Sequence, residues 1–472
     1  MRKKILFLNP PLLSSQGLFN RPIRFPTFSY ATYTIHPPLF LAYACSYLRS
    51  QGFSVDLIDA IAGGNSLKEV LEIAKNKGFE SVVIETSTPS FYNDLEVAKR
   101  IKETGVKKII FVGTHVSCLP EEALKYPWVD AVIRGEYEIS LYEYLKTDNP
   151  DTKGIGLRTT EGKIKINPSR DAIEDLDILP YPARDLLRKY KYFDPILRNP
   201  FTFVLAGRGC PYRCIFCNWP QVLTGRKYRK RNPQKVGEEL EYIKNNFYFK
   251  SILFNDDTLT VDRNNVYNIC REIIKRNLKL NWACYARADF DDEDTLRLMR
   301  KAGCFLLKVG VESGDEEILK KAKKPYSLKK VKRTFSLMRS LGFHIHATFV
   351  FGLPGENQET IKKTIHLAKE LKPSTVQFSM AIPYPGTEFF NFLKKNSFLH
   401  TENWQDYMPL RRIFDYPDLS SEDLRKAVKC AYQSYYFRPQ LLCFALKRLI
   451  CYPKDFVYNL KQFFKLLFTN NA

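Results

Sequence analysis

Short apolar runs recur along this chain and are separated by stretches long enough to hold a helix. Within the first 150 residues they are Ile5 to Leu8, Val55 to Asp59, Ser81 to Glu85, Lys108 to Val112 and Ala131 to Ile133. Runs of this length, spaced by helix-sized segments, are typical of strands joined by crossover helices. The pattern therefore predicts a parallel, doubly wound α/β domain of the Rossmann or flavodoxin type over residues 1–146.

The loops after these strands are the expected ligand contacts, because ligands of such sheets bind outside the carboxyl ends of the strands. We take five loop residues as candidates for cofactor contact: Asn9, Thr86, Ser87, Gly113 and His115. Each could equally be an ordinary turn residue. No G-x-G-x-x-G sequence follows the first strand, which weakens the case for a dinucleotide site.

A second series of apolar runs begins after a stretch that we interpret as a linker, residues 147–200. This stretch contains a predicted hairpin between Gly156 and Ile166, and then prolines at 180 and 182 that disfavour regular structure. The later strand candidates are Phe201 to Ala206, Ser251 to Asn255, Leu280 to Tyr285, Phe305 to Val311, His344 to Phe351 and Thr375 to Ala381. Six such units predict a partial (β/α)6 barrel over residues 201–390, with its site at the carboxyl ends of the strands.

Three cysteines, Cys210, Cys214 and Cys217, lie within eight residues directly after the first barrel strand. A structural zinc site normally takes four ligands in two separated pairs, and no second pair stands nearby at a suitable spacing. A disulfide would leave an odd cysteine and needs an oxidising compartment. The apolar stretch at the N-terminus is too short for a signal peptide, so we expect a cytoplasmic location. Three thiolates that hold a 4Fe-4S cluster and leave one iron open are the interpretation that this spacing favours.

This cysteine spacing is the signature of radical S-adenosylmethionine enzymes, and residues 201–390 resemble that family. The resemblance implies that S-adenosylmethionine binds the open iron, and that an electron donor such as a flavodoxin or ferredoxin triggers release of a 5′-deoxyadenosyl radical. It further implies cofactor contacts from Phe216 near the adenine, Asp256 or Asp257 near the methionyl amine, Glu312 with Ser313 near the ribose or methionyl carboxylate, and Gly352 in a turn beside the adenine. Paired aspartates also commonly cap helices or stay solvated.

The domain order narrows the resemblance. A flavodoxin-like domain placed before a radical barrel resembles the cobalamin-binding radical S-adenosylmethionine enzymes over roughly residues 1–400. Matching segments are Gly135-Glu136, Gly310 to Gly314, Gly352 to Glu356 and Tyr384 to Thr387. No D-x-H-x-x-G sequence occurs in the first domain, so the histidine that binds cobalt from below in other cobalamin proteins is missing. That absence is common in this family, and cobalamin remains the implied third cofactor.

Three classes of function follow from the resemblance and its alternatives. The first is methyl transfer to an unactivated carbon or phosphorus centre, in which a radical removes a hydrogen atom and methylcobalamin supplies the methyl group. The second is an oxidative cyclase or carbon-carbon coupling enzyme of the same fold. The third is a tRNA-modifying methylthiotransferase, which needs three further cysteines in its first domain, where only Cys45 and Cys118 stand. A non-catalytic cobalamin sensor would not need the cysteine loop.

The net charge of the chain and the composition of its C-terminal region indicate which binding partners to expect. The formal net charge is +22, and residues 425–472 carry nine Lys or Arg against one acidic residue, among many aromatic residues. We interpret residues 391–472 as helical. They predict either a membrane-surface helix, which would favour a lipid or isoprenoid over another small-molecule substrate, or a helical cap on the barrel. No apolar run reaches the roughly 18 residues of a membrane span, and nucleic acid is not the expected partner.

Overall fold

The computed structural model describes residues 3–14, 18–21, 26–29, 34–159 and 161–438, which form two α/β halves. The elements of the first half are β1 (Lys4–Asn9), β2 (Leu18–Asn20), β3 (Thr27–Ser29), α1 (Leu39–Ser50), β4 (Ser54–Asp59), α2 (Ala60–Gly63), α3 (Leu67–Lys77), β5 (Ser81–Glu85), α4 (Phe91–Lys102), β6 (Lys108–Val112), α5 (Thr114–Cys118), α6 (Pro120–Leu124), β7 (Ala131–Ile133), α7 (Glu138–Thr147), β8 (Ile155–Arg158), β9 (Ile164–Ile166) and α8 (Arg184–Leu187).

The second half continues the alternation of strands and helices. Its elements are β10 (Phe201–Val204), β11 (Gly207–Arg208), α9 (Asn218–Val222), β12 (Arg229–Lys230), α10 (Pro233–Asn246), β13 (Ser251–Phe254), α11 (Arg263–Lys275), β14 (Trp282–Arg287), α12 (Glu293–Lys301), β15 (Cys304–Glu312), α13 (Glu316–Lys321), α14 (Leu328–Ser340), β16 (His344–Phe351), α15 (Gln358–Leu371), β17 (Thr375–Met380), α16 (Glu388–Lys395) and α17 (Ser421–Tyr436).

The first sheet has the strand order β4-β1-β5-β6-β7-β8-β9. Its first five strands are parallel in the flavodoxin-type order, which confirms the predicted fold. All five residues of β5 are buried, because helices cover both faces of the sheet. The hairpin that we assigned to the linker is β8 and β9, and it extends this sheet as two antiparallel strands. That part of residues 147–200 belongs to the first half.

The second sheet has six parallel strands in the order β10-β13-β14-β15-β16-β17. Strands that follow one another in space as they do in sequence build a partial (β/α)6 barrel, as predicted. Five of the six predicted strands begin within one residue of the observed ones. The exception is β14, which begins at Trp282 because Asn277 and Lys279, just before it, have left-handed backbone angles, φ 49° and 50°.

Helix α17 covers the edge strand β17. The phenol oxygens of Tyr432 and Tyr436 accept hydrogen bonds from the backbone N–H groups of Phe378 (3.1 Å) and Val376 (3.3 Å), and Tyr435 is fully buried. Covering an edge strand satisfies its free backbone groups. These three tyrosines therefore pack against the barrel, as the alternative of a helical cap expects, and the membrane-surface helix stays a prediction. Its remaining part, residues 439–472, lies outside the described residues. Among the described helices, none has the length and apolar character needed to cross a bilayer.

Candidate functional site

The carboxyl edges of the two sheets face each other. Cys118, the last residue of the short helix α5 that follows β6, donates from Sγ to the Pro385 carbonyl oxygen after β17 (3.1 Å). The approach is close, since a Cβ atom on Gly386 would overlap Cys118 Sγ. Beside β7, a Cβ atom on Gly135 would lie 3.8 Å from the carbonyl oxygen of Leu223. Loops that follow strands of both halves thus meet along one seam.

Buried ion pairs connect the two halves along this seam. The Arg208 guanidinium in β11 donates to Glu138 (2.7 Å), and Arg229 binds Glu136 through both terminal nitrogens (2.7 and 2.9 Å). All four side chains are at most 2% exposed. Burial alone would lower the pKa of Arg208, but Glu138 and Glu136 outweigh it and raise that pKa. Glu136 belongs to one of the segments that match the family, whereas no pattern in the sequence indicated its partners Arg229 and Arg208.

The cysteine loop is held by the backbone on several sides. Gly209 has φ 87°, and a Cβ atom there would overlap the carbonyl oxygen of Lys227, so this position requires glycine. The Cys210 N–H donates to the carbonyl oxygen of Gly225 (3.2 Å), and the Ile215 N–H donates to that of Ala322 (3.1 Å). These contacts fix the path of the loop at the carboxyl end of β10.

Charged side chains act on the middle thiol of the loop. Cys210 is buried, while Cys214 and Cys217 are partly buried. Burial raises the pKa of Cys214; Lys324, Arg287 and Arg226 act against this, and Glu312 adds to it. Within the described ranges, no three His, Cys, Asp or Glu side chains gather closely enough to hold a single metal ion. In a 4Fe-4S cluster each thiolate binds a different iron, so the three sulfurs do not need to converge on one point.

The two aspartates after β13 position the start of this loop. Asp256 Oδ2 accepts from the Ala206 N–H (3.0 Å), and Asp257 Oδ2 accepts from the Gly209 N–H (2.9 Å) and from Thr224 Oγ1 (2.9 Å). Asp256 is fully buried, and burial together with Asp257 raises its pKa to about 7. These contacts tie the aspartates to the protein itself, and the predicted contact with a methionyl amine stays a prediction.

Glu312 is held in a strained conformation at a bulge in β15. Its φ is 72°, in the left-handed region that residues other than glycine rarely adopt, and such strain is typical of functional sites. Lys324 Nζ donates to Glu312 Oε1 (2.6 Å) and to the carbonyl oxygen of Gly310 (3.1 Å). Gly310 leaves room for this pair, since a Cβ atom there would overlap Glu312 Oε1 and lie 2.8 Å from Lys324 Nζ.

Three further predicted residues lie near the same end of the barrel. Ser313 Oγ lies 3.3 Å from Thr364 Oγ1. The Gly352 N–H donates to Glu356, whose burial raises its pKa to about 8. Phe216 is buried in the cysteine loop. The structure thus brings the barrel candidates together on one edge, whereas their individual contacts with a cofactor stay predictions.

The candidates in the first half are largely engaged by the protein itself. Asn9 Nδ2 donates to Asp59 Oδ1 (2.8 Å), and the Ser87 hydroxyl lies 2.9 Å from that of Ser90. Gly113 has φ 108°, and a Cβ atom on it would overlap the carbonyl oxygen of Thr86, so this glycine lets two loops approach closely. Their placement at the carboxyl edge agrees with the expectation, and their contact with cobalamin stays a prediction.

His115 lies in an enclosed aromatic cluster. It is 0% exposed, its ring centroid is 4.0 Å from that of Phe91 and 5.6 Å from that of Trp404, and Nδ1 lies 3.4 Å from Thr88 Oγ1. Burial lowers its pKa, against the opposing effect of Glu122. These contacts join α5 to the C-terminal region, which agrees with the structural alternative for this histidine.

Glu85, at the end of β5, is a residue that the sequence analysis missed. Its Oε2 atom is buried without a hydrogen-bond partner among the described residues. The Tyr137 hydroxyl is also buried and has no such partner there. Burial raises the pKa of Glu85 to about 7, with Arg21 acting against it. One feature of the sequence could have indicated Glu85 as a candidate: it is an acidic residue at the carboxyl end of a strand that is otherwise mostly apolar.

Comparison with known proteins agrees with this arrangement. A profile described as "B12 binding domain" matches residues 31–145, and one described as "Radical SAM superfamily" matches residues 204–368. The first coincides with most of the flavodoxin-type half, and the second with the barrel through α15. Fold and cysteine loop together define a radical S-adenosylmethionine enzyme with a corrinoid-binding module.

Relatives extend the match to most of the chain. The "Uncharacterized methyltransferase PH0819" of Pyrococcus horikoshii is 32% identical over 418 residues, which are 87% of this chain and 90% of the relative. The anaerobic magnesium-protoporphyrin IX monomethyl ester cyclase of Rubrivivax gelatinosus is 29% identical, over 76% of this chain and 66% of its own. The hopanoid C-3 methylase of Methylococcus capsulatus is 28% identical, over 68% and 60%. The chain belongs to the cobalamin-binding radical S-adenosylmethionine enzymes.

Solved structures share the fold. OxsB, a cobalamin-dependent radical enzyme solved with aqua-cobalamin and S-adenosylmethionine, aligns over 98% of this chain and 72% of its own, with a TM-score of 0.75 at 16% identity. TsrM from Kitasatospora setae, solved with cobalamin and a [4Fe-4S] cluster, aligns over 84% and 78%, with a TM-score of 0.68 at 18% identity. Both alignments span the two halves, so the arrangement of the two domains recurs in these proteins.

Proposed function

We propose that this radical S-adenosylmethionine enzyme uses cobalamin to transfer a methyl group to an unactivated carbon. The observation that carries the proposal is the seam between the halves, where the carboxyl edge of a corrinoid-type domain faces the cysteine loop of the barrel. Two cofactors bound at these edges would face each other, with the substrate between them.

The residues fit a 4Fe-4S cluster and S-adenosylmethionine. The loop offers three thiols, the donor type that such clusters take. Burial outweighs Lys324, Arg287 and Arg226 at the Cys214 thiol, but their positive charges would offset the negative charge of bound thiolates and of an anionic cluster. The Glu312 carboxylate is near enough to Cys214 to influence its pKa, and its strained backbone suits a contact with a ligand on the open iron.

The first half fits cobalamin at its carboxyl edge. The buried Glu85 Oε2 atom lacks a donor among the described residues, and a buried acceptor of this kind costs about 1–3 kcal/mol until one is supplied. The corrin ring carries amide side chains that donate hydrogen bonds. The close approach of Gly113 to Thr86 also packs the loops after β5 and β6 against each other at this edge.

When bound, these groups supply a carbon-centred radical that removes a hydrogen atom from the substrate and a methyl group that replaces it. The chain's own residues hold the geometry. Asp256 and Asp257 fix the start of the cysteine loop, and the Glu312–Lys324 pair fixes the adjacent end of β15. Tyr416 donates to the carbonyl oxygen of Gly352 (3.0 Å) and holds the next turn of the same edge.

A lipid or isoprenoid is the substrate class that we favour. A hopanoid C-3 methylase is among the relatives, and the basic, aromatic residues beyond 438 suit a membrane surface. A flavodoxin or ferredoxin is the proposed electron donor. We also propose a cytoplasmic location, with peripheral contact at the inner face of the membrane.

A cyclase is the second candidate, favoured by the 29% identity to the magnesium-protoporphyrin ester cyclase. The tRNA methylthiotransferase is disfavoured by the first half itself. Cys45 is buried in α1 and the Cys118 thiol donates to Pro385, so these two residues do not supply the three-cysteine site of a second cluster.

The test uses S-adenosylmethionine with a deuterated methyl group, the anaerobically reconstituted enzyme and lipid extract from a deletion strain. The proposal expects a lipid that gains a CD3 group, together with 5′-deoxyadenosine and S-adenosylhomocysteine in equal amounts. Label in tRNA, or a product that loses hydrogen without gaining the label, would contradict it. The Cys214→Ala variant, assayed in the same way, measures the background level of labelled product.

A further inference from the structure

The surface beside the cysteine loop is basic. Six Lys or Arg lie in the segment from Gly209 to Arg231. Arg229 and Arg231 are buried, and Lys227 and Lys230 pair with acidic side chains, so the basic character of this surface comes from the remaining two, Arg213 and Arg226. Arg213, inside the loop, is exposed. The loop is bonded through the Ile215 N–H to the carbonyl oxygen of Ala322, so the segment that contains Ala322 lies directly against it.

That neighbouring segment is also basic. Lys320, Lys321 and Lys323 are exposed around Ala322 at the end of α13. Lys323 pairs with Glu388, whereas within the described ranges Arg213, Lys320 and Lys321 form no ion pair. The nearest acidic residues of this segment, Glu316 and Glu317, lie in the first turn of α13, at the opposite end of the helix. Arg213, Lys320 and Lys321 are called the basic face below.

We propose that the basic face is the docking surface for an acidic one-electron carrier protein of the flavodoxin or ferredoxin type. This inference rests on the proposed function, since it assumes a cluster on the three cysteines. One electron passes from the reduced carrier to the cluster, so the carrier is oxidised by one electron and the cluster is reduced by one.

Position and charge both support this assignment. The loop that would hold the cluster reaches the surface at Pro211 and Arg213, so a carrier seated here lies beside the segment that carries the three thiols. Redox partners form small, weak interfaces, in which complementary charge raises the association rate and like charges placed opposite each other cost affinity. Unpaired lysines beside the redox centre supply the attractive field for an acidic partner.

The test compares two double variants with the same change in charge. Lys320→Glu/Lys321→Glu reverses the basic face, and Lys68→Glu/Lys75→Glu reverses two exposed lysines on α3 of the first half. We measure binding of an acidic flavodoxin to the full-length reconstituted enzyme by calorimetry at several salt concentrations. The first variant should bind at least about tenfold more weakly and lose the salt dependence, while the second keeps both. Equal effects of the two variants would overturn the proposal.

A second measurement separates docking from chemistry. Reductive cleavage of S-adenosylmethionine is driven either by the reduced flavodoxin or by dithionite, which needs no docking surface. The basic-face variant should lose about tenfold of the flavodoxin-driven rate and keep the dithionite-driven rate within about twofold. Loss of both rates alike would contradict docking at this face. So would a second result: the wild type binds tRNA tightly, and the basic-face variant loses tRNA binding while its flavodoxin binding is unchanged. Absence of cleavage by the wild type with either reductant would refute the proposed function, and the binding comparison would still decide on docking.

Discussion

Gly310→Ala should disable the cofactor site without unfolding the protein. The added Cβ atom would overlap Glu312 Oε1 and lie 2.8 Å from Lys324 Nζ, so the carboxylate must retreat by about 1 Å to reach ordinary contact. Both atoms are the ends of flexible side chains, so the cost to folding should be about 1 kcal/mol, the low end for an added methyl group in a packed site. A charge-assisted hydrogen bond is worth about 1.5–3 kcal/mol, so affinity for S-adenosylmethionine should fall by roughly 10- to 150-fold.

The assay is equilibrium binding of S-adenosylmethionine to the reconstituted enzyme, paired with a denaturation curve. Gly52→Ala is the matched control: φ is 88° and the space around it is open, so it should cost about 1 kcal/mol of stability and leave the affinity unchanged. The reasoning is refuted if Gly310→Ala binds S-adenosylmethionine as tightly as the wild type, or if it loses affinity only in proportion to lost stability.

Other predictions concern the cluster, the pH dependence and the buried charges. Cys214→Ala should abolish cleavage of S-adenosylmethionine, as measured by the release of 5′-deoxyadenosine; retained cleavage would contradict the role of this thiol. Burial raises the pKa of Glu85 from 4.5 to about 7, so the folded state holds the proton more tightly and this residue lowers stability as pH rises from 4.5 to 7. Glu85→Gln should remove that contribution, which is up to about 1.4 kcal/mol per pH unit. The measurement is the free energy of unfolding of the apoprotein at several pH values; the same pH dependence in the wild type and the variant would count against this role. Glu239→Gln removes the carboxylate that the buried guanidiniums of Arg184 and Arg231 share, and stability should fall by about 3–5 kcal/mol in urea denaturation; a loss below about 1 kcal/mol would speak against a shared buried ion network.

The fold could be predicted from the sequence because its signal is local. The strands of a parallel sheet are buried on both faces, so β5 and β6 appear as unbroken apolar runs, and their observed bounds equal the predicted ones. The hairpin β8–β9 was recognised as a hairpin, but its pairing partner was not. Whether a hairpin extends a sheet depends on contacts between distant segments, which the run itself does not contain.

The candidate site was predictable only in part, for the same reason. The cysteines share one loop, and their spacing is visible in the sequence. Arg208 and Glu138 are 70 residues apart and meet only because the two halves fold against each other. His115 appeared as an open loop residue, yet Phe91 and Trp404 enclose it from distant parts of the chain.

Cofactor content after anaerobic reconstitution tests the central claim most directly. The wild type should retain the iron and sulfide of one 4Fe-4S cluster and one cobalamin per chain. A variant with Cys210, Cys214 and Cys217 all replaced by Ala should lose the iron and keep the cobalamin. The reason is that the proposed cluster site lies in the second half of the protein and the proposed cobalamin site in the first. A wild type that retains neither cofactor would contradict the account, and so would a variant that loses cobalamin together with the iron while it remains folded.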